Sequence, residues 1–262
     1  MNSLPTWAIG LALASGVAII ARRAGALSGS GALAAAAIGS IAVGAGWSWG
    51  LLLIGYFVSS SALTRFRAGD KSARTDGRVE KGGRRDAAQV MANGGAFALA
   101  AVGWWCTADP VFQWLGAGAL AASAADTWAT EIGTLSRAAP RLVLSWRTVP
   151  AGTSGGVSVL GLLAALAGAA FVALLALALA WPRSAAMAAV AGGVAGMLLD
   201  SLIGATLQAR HWCATCATDT EQRVHRCGQP TAHAGGIRWL GNDAVNALST
   251  VGGALIGAAV AG

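Results

Sequence analysis

The chain has 262 residues, of which 55% are hydrophobic and only 11% charged, and its mean hydropathy is +0.60. A soluble domain carries about 25% charged residues, so this composition excludes an ordinary soluble core. The net charge is +7, and the 37 glycines suit close helix–helix packing in lipid. Strand-type alternation of apolar and polar residues is missing. We therefore expect an all-α, polytopic transmembrane bundle.

Eight apolar segments approach the length that spans a membrane. In chain order they lie at about 5–21, 27–44, 48–64, 87–105, 111–135, 154–181, 185–208 and 239–261. We expect residues 1–262 to form one integral membrane domain of about eight spans, with both termini on the same side. A basic loop over 65–86 and a loop with cysteines and histidines over 209–238 lie between spans.

The basic residues indicate the orientation of this bundle, because they concentrate in the four loops on one side. The positive-inside rule makes that side cytoplasmic and places both termini outside. Trp49 and Trp181 are among the tryptophans that we assign to the outer interface. The positive charge of the 65–86 loop has two possible roles. It either sets the membrane topology and attracts anionic lipid headgroups, or it binds a phosphorylated ligand. Nucleic acid is excluded as a partner, because the loops lack base-stacking aromatic residues.

Acidic residues interrupt the apolar segments in their predicted cytoplasmic halves. A charged side chain at the centre of a spanning helix costs about 2.5–3.5 kcal/mol and generally marks a functional site. Several such acids repel one another unless a cation lies among them, and carboxylates suit Mg²⁺. The alternative for each acid alone is helix capping or interhelical hydrogen bonding. The candidate catalytic and Mg²⁺-binding residues are Asp126, Glu131, Asp200 and Asp243.

Further polar residues lie at a similar predicted depth. Asp86, Gln89 and Asn93 form one stripe at the start of the fourth span, since their spacing matches the helical repeat. Asn242 and Asn246 lie in the first two turns of the eighth span. We expect these residues to bind and orient the nucleotide or substrate.

The segment "VPAGTSGGVS" precedes the sixth span. Thr153 or Ser154 can cap the following helix, and Gly152, Gly155 and Gly156 allow close backbone approach. The N-terminus of a helix with free N–H groups binds anions, so this segment is a candidate phosphate site. The alternative is an ordinary helix start in a flexible loop.

The segment "RVEKGGRRDAAQ" joins the basic loop to the fourth span. Lys81, Arg84 and Arg85 surround its glycine pair and can reach the same cavity. Arginine binds phosphate through a bidentate fork, and lysine through a point charge. The alternative is ordinary anchoring at the membrane interface.

The 209–238 loop contains three thiols, of which two form a C-x-x-C pair. Three thiols and one imidazole suit tetrahedral Zn²⁺, and a reducing cytosol disfavours structural disulfides. The candidate structural zinc ligands are Cys213, Cys216, Cys227 and His225, with His211 and His233 as other choices for the fourth ligand.

Five segments together resemble the phytyl-phosphate kinase family of integral membrane proteins, also called domain of unknown function ninety-two and including proteins like transmembrane protein nineteen. They are "KGGRRDAAQVMANGG", "ADTWATEIGT", "VPAGTSGGVS", "LLDSLIGATLQ" and "GNDAVNALST". The resemblance covers most of residues 60–255, and the first three spans match mainly in hydropathy. It implies an isoprenyl-monophosphate kinase with CTP as the expected donor, but it does not imply phytol as the substrate.

We therefore expect an integral protein of the cytoplasmic membrane, if the source is bacterial, with its site facing the cytoplasm. It would use Mg²⁺ to transfer a phosphoryl group from a nucleoside triphosphate to an isoprenyl monophosphate lipid. One rival is a transporter or flippase for a lipid phosphate or small anion. Others are a CTP-dependent lipid cytidylyltransferase and a non-catalytic scaffold. A homo-oligomer is left open by the sequence.

Overall fold

The computed structural model describes residues 6–75 and 83–262, and within them the fold is predominantly helical. Eight long helices coincide with the eight apolar segments, and each boundary lies within about three residues of its prediction except the start of α7. They are α1 (Thr6–Arg23), α2 (Gly29–Ala45), α3 (Trp47–Arg65), α5 (Ala87–Thr107), α6 (Val111–Gly133), α7 (Val159–Ala178), α8 (Arg183–Thr206) and α9 (Asn242–Ala261). A short helix, α4 (Ala68–Thr75), lies in the basic loop.

Three of the described helices are long and apolar enough to cross a membrane by length and composition. They are α7, α8 and α9, of 20, 24 and 20 residues. Helix α2 is also apolar but has 17 residues. These helices support an integral membrane protein, while the count of eight spans and the side of the termini stay predictions.

Helix α6 lies at the centre of the bundle and contacts α5, α7, α8 and α9. Lipid provides no hydrophobic drive between helices, so small residues at the contacts let backbones approach closely. At Gly192 of α8, an added Cβ would lie 2.3 Å from the carbonyl oxygen of Gly253 in α9. At Gly118 of α6, it would lie 2.6 Å from the same oxygen. The three helices therefore meet backbone to backbone.

Trp49 and Trp181 pack inside the bundle rather than on its surface, and their assignment to the outer interface stays a prediction. Both side chains are buried, and their ring centroids lie 4.6 Å apart. The centroid of Phe97 lies 5.2 Å from that of Trp49. The missing side chain of Gly116 makes room for this cluster, because a Cβ there would lie 2.7 Å from the ring of Trp49.

Short strands in two loops correct the expectation of a purely helical fold. Strand β1 (Arg141–Leu142) pairs antiparallel with β2 (Gly156–Val157). In the Cys/His loop, β3 (Arg210–Cys213) lies between β4 (Thr218–Thr220) and β5 (Ala232–Gly235), antiparallel to both. Strands of two to four residues are too short to give an alternating apolar pattern.

Hydrogen bonds join the basic loops at one end of the bundle, as the distribution of basic residues predicts. The backbone N–H of Arg85 donates to the carbonyl oxygen of Ala26, between α1 and α2, at 3.0 Å. The guanidinium of Arg74 in α4 donates to the carbonyl oxygen of Ser136, after α6, at 2.7 Å. This end of the bundle also holds the polar cavity.

Candidate active site

A polar cavity of about 140 Å³ opens where α6, α7 and α8 end or begin at the basic side. Its wall combines helix ends with the segment "AGTSGG" and parts of the Cys/His loop. The polar side chains that line it are Asp126, Thr130, Thr134, Thr153, Ser154, Ser158, Asp200, Ser201, Gln208, Glu221 and Asn242.

Two of the predicted acids, Asp126 and Asp200, face this cavity from different helices. Asp126 lies seven residues before the end of α6 and Asp200 six residues before the end of α8. At about 1.5 Å per residue, both lie roughly 9–11 Å inside the helix ends. Because both side chains line this one cavity, two ionised carboxylates there would repel each other. The hydroxyl of Ser249 in α9 donates a hydrogen bond to Oδ2 of Asp200 at 3.2 Å.

The third predicted acid, Glu131, forms an ion pair with Lys71 instead of lining the cavity. The ammonium of Lys71 also donates to the carbonyl oxygens of Leu63 at 2.7 Å and Thr64 at 2.9 Å. Lys71 is 8% exposed, so a buried cation fastens α4 to the end of α6. The sequence did not single out Lys71, because it reads as one of many cations in a basic loop.

The fourth predicted acid, Asp243, does not line the cavity, although its neighbour Asn242 does. Asn246 is buried one turn later, and its carbonyl oxygen accepts a hydrogen bond from the hydroxyl of Ser249 at 3.0 Å. The first turn of α9 therefore contributes Asn242 to the cavity, whereas Asn246 is buried and does not line it.

The five residues 152–156 all line the cavity, as the sequence predicts. Gly152 and Gly155 have φ angles of 82° and 73°, a left-handed conformation that glycine adopts without strain. An added Cβ at Gly155 would lie 2.4 Å from the Cβ of Ala205 in α8. The glycines thus let this loop turn tightly and lie directly on the end of α8.

The prediction that Thr153 or Ser154 caps the following helix is wrong. Ser158 caps α7, because its hydroxyl accepts a hydrogen bond from the backbone N–H of Gly161 at 3.1 Å. The chain stays extended before that point, since Gly156 and Val157 pair with β1. A serine directly before the apolar run is the sequence signal that would have located this cap.

Glu221 also lines the cavity, although the sequence did not identify it as a site residue. It follows β4 in the Cys/His loop, and its carboxylate accepts a hydrogen bond from the hydroxyl of Ser154. Its charge also acts on Asp200. Three carboxylates therefore surround one cavity. An acid in a hydrophilic loop carries no periodic or hydropathic signal, so sequence alone had no means of finding it.

The polar stripe of α5 lies at a second cavity. Asp86 caps α5, because its Oδ1 accepts a hydrogen bond from the backbone N–H of Gln89 at 3.0 Å. Arg85, Gln89 and Asn93 line an otherwise mainly apolar cavity of about 260 Å³ between α1, α2, α3 and α5. The guanidinium carbon of Arg85 lies 6.0 Å from the centroid of the Phe57 ring.

Asn93, which lines the apolar cavity, also contacts α6. The hydroxyl of Ser123 donates to the carbonyl oxygen of Asn93 at 2.8 Å and lies 3.1 Å from its Oδ1. Ser123 is three residues before Asp126 on α6. Of the other predicted cations, Arg84 lies 3.5 Å from the backbone carbonyl oxygen of Leu27, and Lys81 lies outside the described residues.

The structure brings the four predicted zinc ligands together. One ligand atom from each of Cys213, Cys216, His225 and Cys227 lies within 4.8 Å of every other. A hydrogen bond with His225 lowers the pKa of the Cys227 thiol to about 6. The other two candidate imidazoles, His211 and His233, pack edge to face in the neighbouring strands.

Comparison with known proteins places these features in a family. The family model described as "Integral membrane protein DUF92" matches residues 12–254. The chain is 32% identical over 246 residues to Protein PGR of Arabidopsis thaliana, covering 84% of each chain. It is 29% identical over 244 residues to Protein VTE6, chloroplastic, of the same plant, covering 88% of this chain and 64% of that protein.

A further relative comes from an archaeon. The chain is 28% identical over 215 residues to "Uncharacterized membrane protein MJ0933" of Methanocaldococcus jannaschii, covering 81% of this chain and 76% of the relative. No solved structure matches this chain.

Proposed function

The chain belongs to the integral membrane protein family DUF92, and on that basis we propose that it is a Mg²⁺-dependent membrane kinase. It transfers the terminal phosphoryl group of a nucleoside triphosphate, with CTP as the expected donor, to an isoprenyl monophosphate. The observation that carries this proposal is the approach of Asp126 and Asp200, from two different helices, in one polar cavity at the basic end of the bundle.

The donor set of this cavity fits Mg²⁺. Asp126, Asp200 and Glu221 offer carboxylate oxygens, and their mutual repulsion favours a divalent cation between them. Mg²⁺ typically uses one or two carboxylates together with substrate phosphates and water. Bound there, Mg²⁺ would supply neutralisation of the charge on the donor phosphates.

The glycine-rich loop suits the donor phosphates. Residues 152–156 all line the cavity, and Thr153 and Ser154 add hydroxyl groups to its wall. Backbone N–H groups and hydroxyls together form anion-binding concavities in such loops. The loop and Asp126 line the same cavity, which would hold the donor between phosphate-binding and metal-binding groups.

The apolar cavity suits the acceptor lipid. It is lined mainly by aliphatic and aromatic side chains, and its polar residues, Arg85, Gln89 and Asn93, lie together at the start of α5. A lipid monophosphate would place its chain along the apolar wall and its phosphate against the guanidinium of Arg85, which can bind phosphate in a bidentate fork.

The reaction then requires positioning more than acid–base chemistry. The acceptor is a phosphate monoester whose oxygens are already ionised near neutral pH, so no strong general base is needed. The residues of the two cavities hold donor and acceptor in line, and the surrounding charges stabilise the transferring group.

The test is a product assay with purified protein in lipid nanodiscs. Labelled CTP or ATP is incubated with a panel of prenyl monophosphates of different chain length. The proposal predicts a labelled prenyl diphosphate. A nucleotide-linked lipid would instead identify a cytidylyltransferase. Movement of a prenyl phosphate across proteoliposomes without a covalent product would identify a transporter, and either result would overturn the kinase.

A further inference from the structure

We propose that Cys213, Cys216, His225 and Cys227 bind one structural Zn²⁺, and that this ion holds Glu221 in place at the wall of the acid-lined cavity. The first part of the proposal stands without the kinase activity. The second part deepens the proposed function, because it makes the Cys/His loop a part of the site.

Two distances in the cluster are close to those between zinc ligands, and the four ligand atoms all lie within 4.8 Å of one another. With Zn–S bonds of about 2.3 Å and a tetrahedral arrangement, two thiolate sulphurs lie about 3.8 Å apart. The Sγ atoms of Cys213 and Cys227 are 3.7 Å apart. Nδ1 of His225 lies 3.3 Å from Sγ of Cys227, somewhat below the roughly 3.6 Å of a sulphur–nitrogen edge.

Two tight turns present the ligands. Cys213 ends β3 and Cys216 follows in the turn before β4, where Ala217 adopts a positive φ of 47°. His225 and Cys227 lie in a second turn, closed by a hydrogen bond of 2.8 Å from the N–H of Gly228 to the carbonyl oxygen of His225. Pairs of ligands on short turns are the usual construction of structural zinc sites.

The loop also lacks the apolar core that would otherwise fix its fold. Within 207–241, the buried hydrophobic residues are Ala209, Cys213 and Leu240, whereas Trp212 and Trp239 are exposed. Segments that bury so little apolar surface are generally held together by disulfides or a metal. A single disulfide in this cluster would use two of the three thiols and leave the buried imidazole of His225 without a role.

The position of Glu221 connects this centre to the cavity. The chain runs from Cys216 through β4 to Glu221 and returns to the cluster at His225. A metal that binds residues on both sides fixes the short segment between them. That segment contacts the glycine-rich loop through the hydrogen bond from Ser154 to Glu221.

Metal analysis of the full-length protein in detergent tests the zinc site without any activity assay. We expect one zinc per chain in wild-type protein and in Cys106→Ser, the matched control at the one cysteine outside the cluster. Cys213→Ser should lose the metal. His225→Cys should retain it, because four thiolates also bind zinc, whereas His225→Ala should release it more readily to a chelator.

A variant that fails to fold would not obscure the result, because cobalt can replace zinc in the wild-type protein. Tetrahedral thiolate coordination gives strong visible absorption bands, and the proposal predicts them. Wild-type protein that takes up neither zinc nor cobalt, or that contains a disulfide within the cluster when isolated under reducing conditions, would overturn the metal site.

Hydrogen–deuterium exchange tests the link to the cavity. Removing zinc with a chelator should speed exchange in both 218–222 and 152–156 and leave the middle of α7 unchanged. Faster exchange in 218–222 alone would overturn the positioning role while leaving the metal site intact. Neither outcome depends on which substrate the cavity binds.

Discussion

The hydroxyl of Ser154 donates a hydrogen bond to the carboxylate of Glu221. This contact joins the glycine-rich loop to the Cys/His loop, two segments that are 67 residues apart in sequence. Together with Asp126 and Asp200, it closes a ring of polar groups around one cavity.

Replacing Glu221 with glutamine should lower turnover by about tenfold or more. A hydrogen bond to a charged group contributes about 1.5–3 kcal/mol, and the substitution also removes one negative charge from the cavity. Steady-state kinetics with the prenyl diphosphate product measures the effect. Asp219→Asn is the matched control, since Asp219 is exposed on β4, two residues before Glu221. Equal activity of the two variants would contradict a role for Glu221.

Replacing Gly155 with alanine should reduce activity by about 100-fold, the scale expected when a positioning loop is displaced by about 1 Å. The added Cβ would lie 2.6 Å from the backbone nitrogen of Ala205, so the loop must move away from α8. Gly25→Ala is the matched control. Gly25 has a similar φ of 76°, but an added Cβ there meets nothing within 4 Å.

Both glycine variants should lose about 1–2 kcal/mol of stability from the left-handed backbone. Only Gly155→Ala should lose activity at a temperature where both remain folded. Comparable activity in the two variants would show that close packing of this loop on α8 is not required.

Replacing Lys71 with methionine should destabilise the protein strongly, by about 3–5 kcal/mol, because Glu131 would keep a partly buried charge without its cation. The double variant Lys71→Met/Glu131→Gln should recover much of that loss. Denaturant unfolding in detergent, followed by tryptophan fluorescence, measures the four proteins of the cycle. Strict additivity of the two single effects would show that the pair is not coupled.

Replacing Arg85 with glutamine should raise the KM for the lipid acceptor by about tenfold or more and leave the KM for the nucleotide unchanged. The reasoning is that the guanidinium binds the acceptor phosphate at the polar end of the apolar cavity. Arg183→Gln, at the start of α8 and away from the basic loops, is the control. A selective rise in the nucleotide KM would instead assign Arg85 to the donor.

The sequence predicted the helices well because each one is a continuous apolar run bounded by polar residues or glycine. It singled out Asp126 and Asp200, which line one cavity, because an acid in an apolar helix costs free energy on membrane insertion and is therefore rare. Glycine-rich residues 152–156 were also assigned to the cavity that they line.

The rest depends on contacts that no local pattern encodes. Glu221 and Lys71 act through partners more than 55 residues away, and both lie in hydrophilic loops where charge is common. Helical spacing predicted one stripe of Asp86, Gln89 and Asn93, but it did not show that Gln89 and Asn93 border the apolar cavity while Asp86 caps α5. Glu131 was a candidate metal ligand because it lies in the predicted cytoplasmic half of its span. Only the fold showed that it pairs with Lys71.

The measurement that tests the central claim most directly is the Mg²⁺ dependence of phosphoryl transfer in Asp126→Asn and Asp200→Asn. Asp109→Asn, with its carboxylate in the exposed turn at the start of α6, provides the control. The account predicts that transfer by wild-type protein and the control requires Mg²⁺, and that each of the other variants is slower by about 1,000-fold while still inserting and folding. Wild-type rates and an unchanged Mg²⁺ requirement in both cavity variants would contradict it.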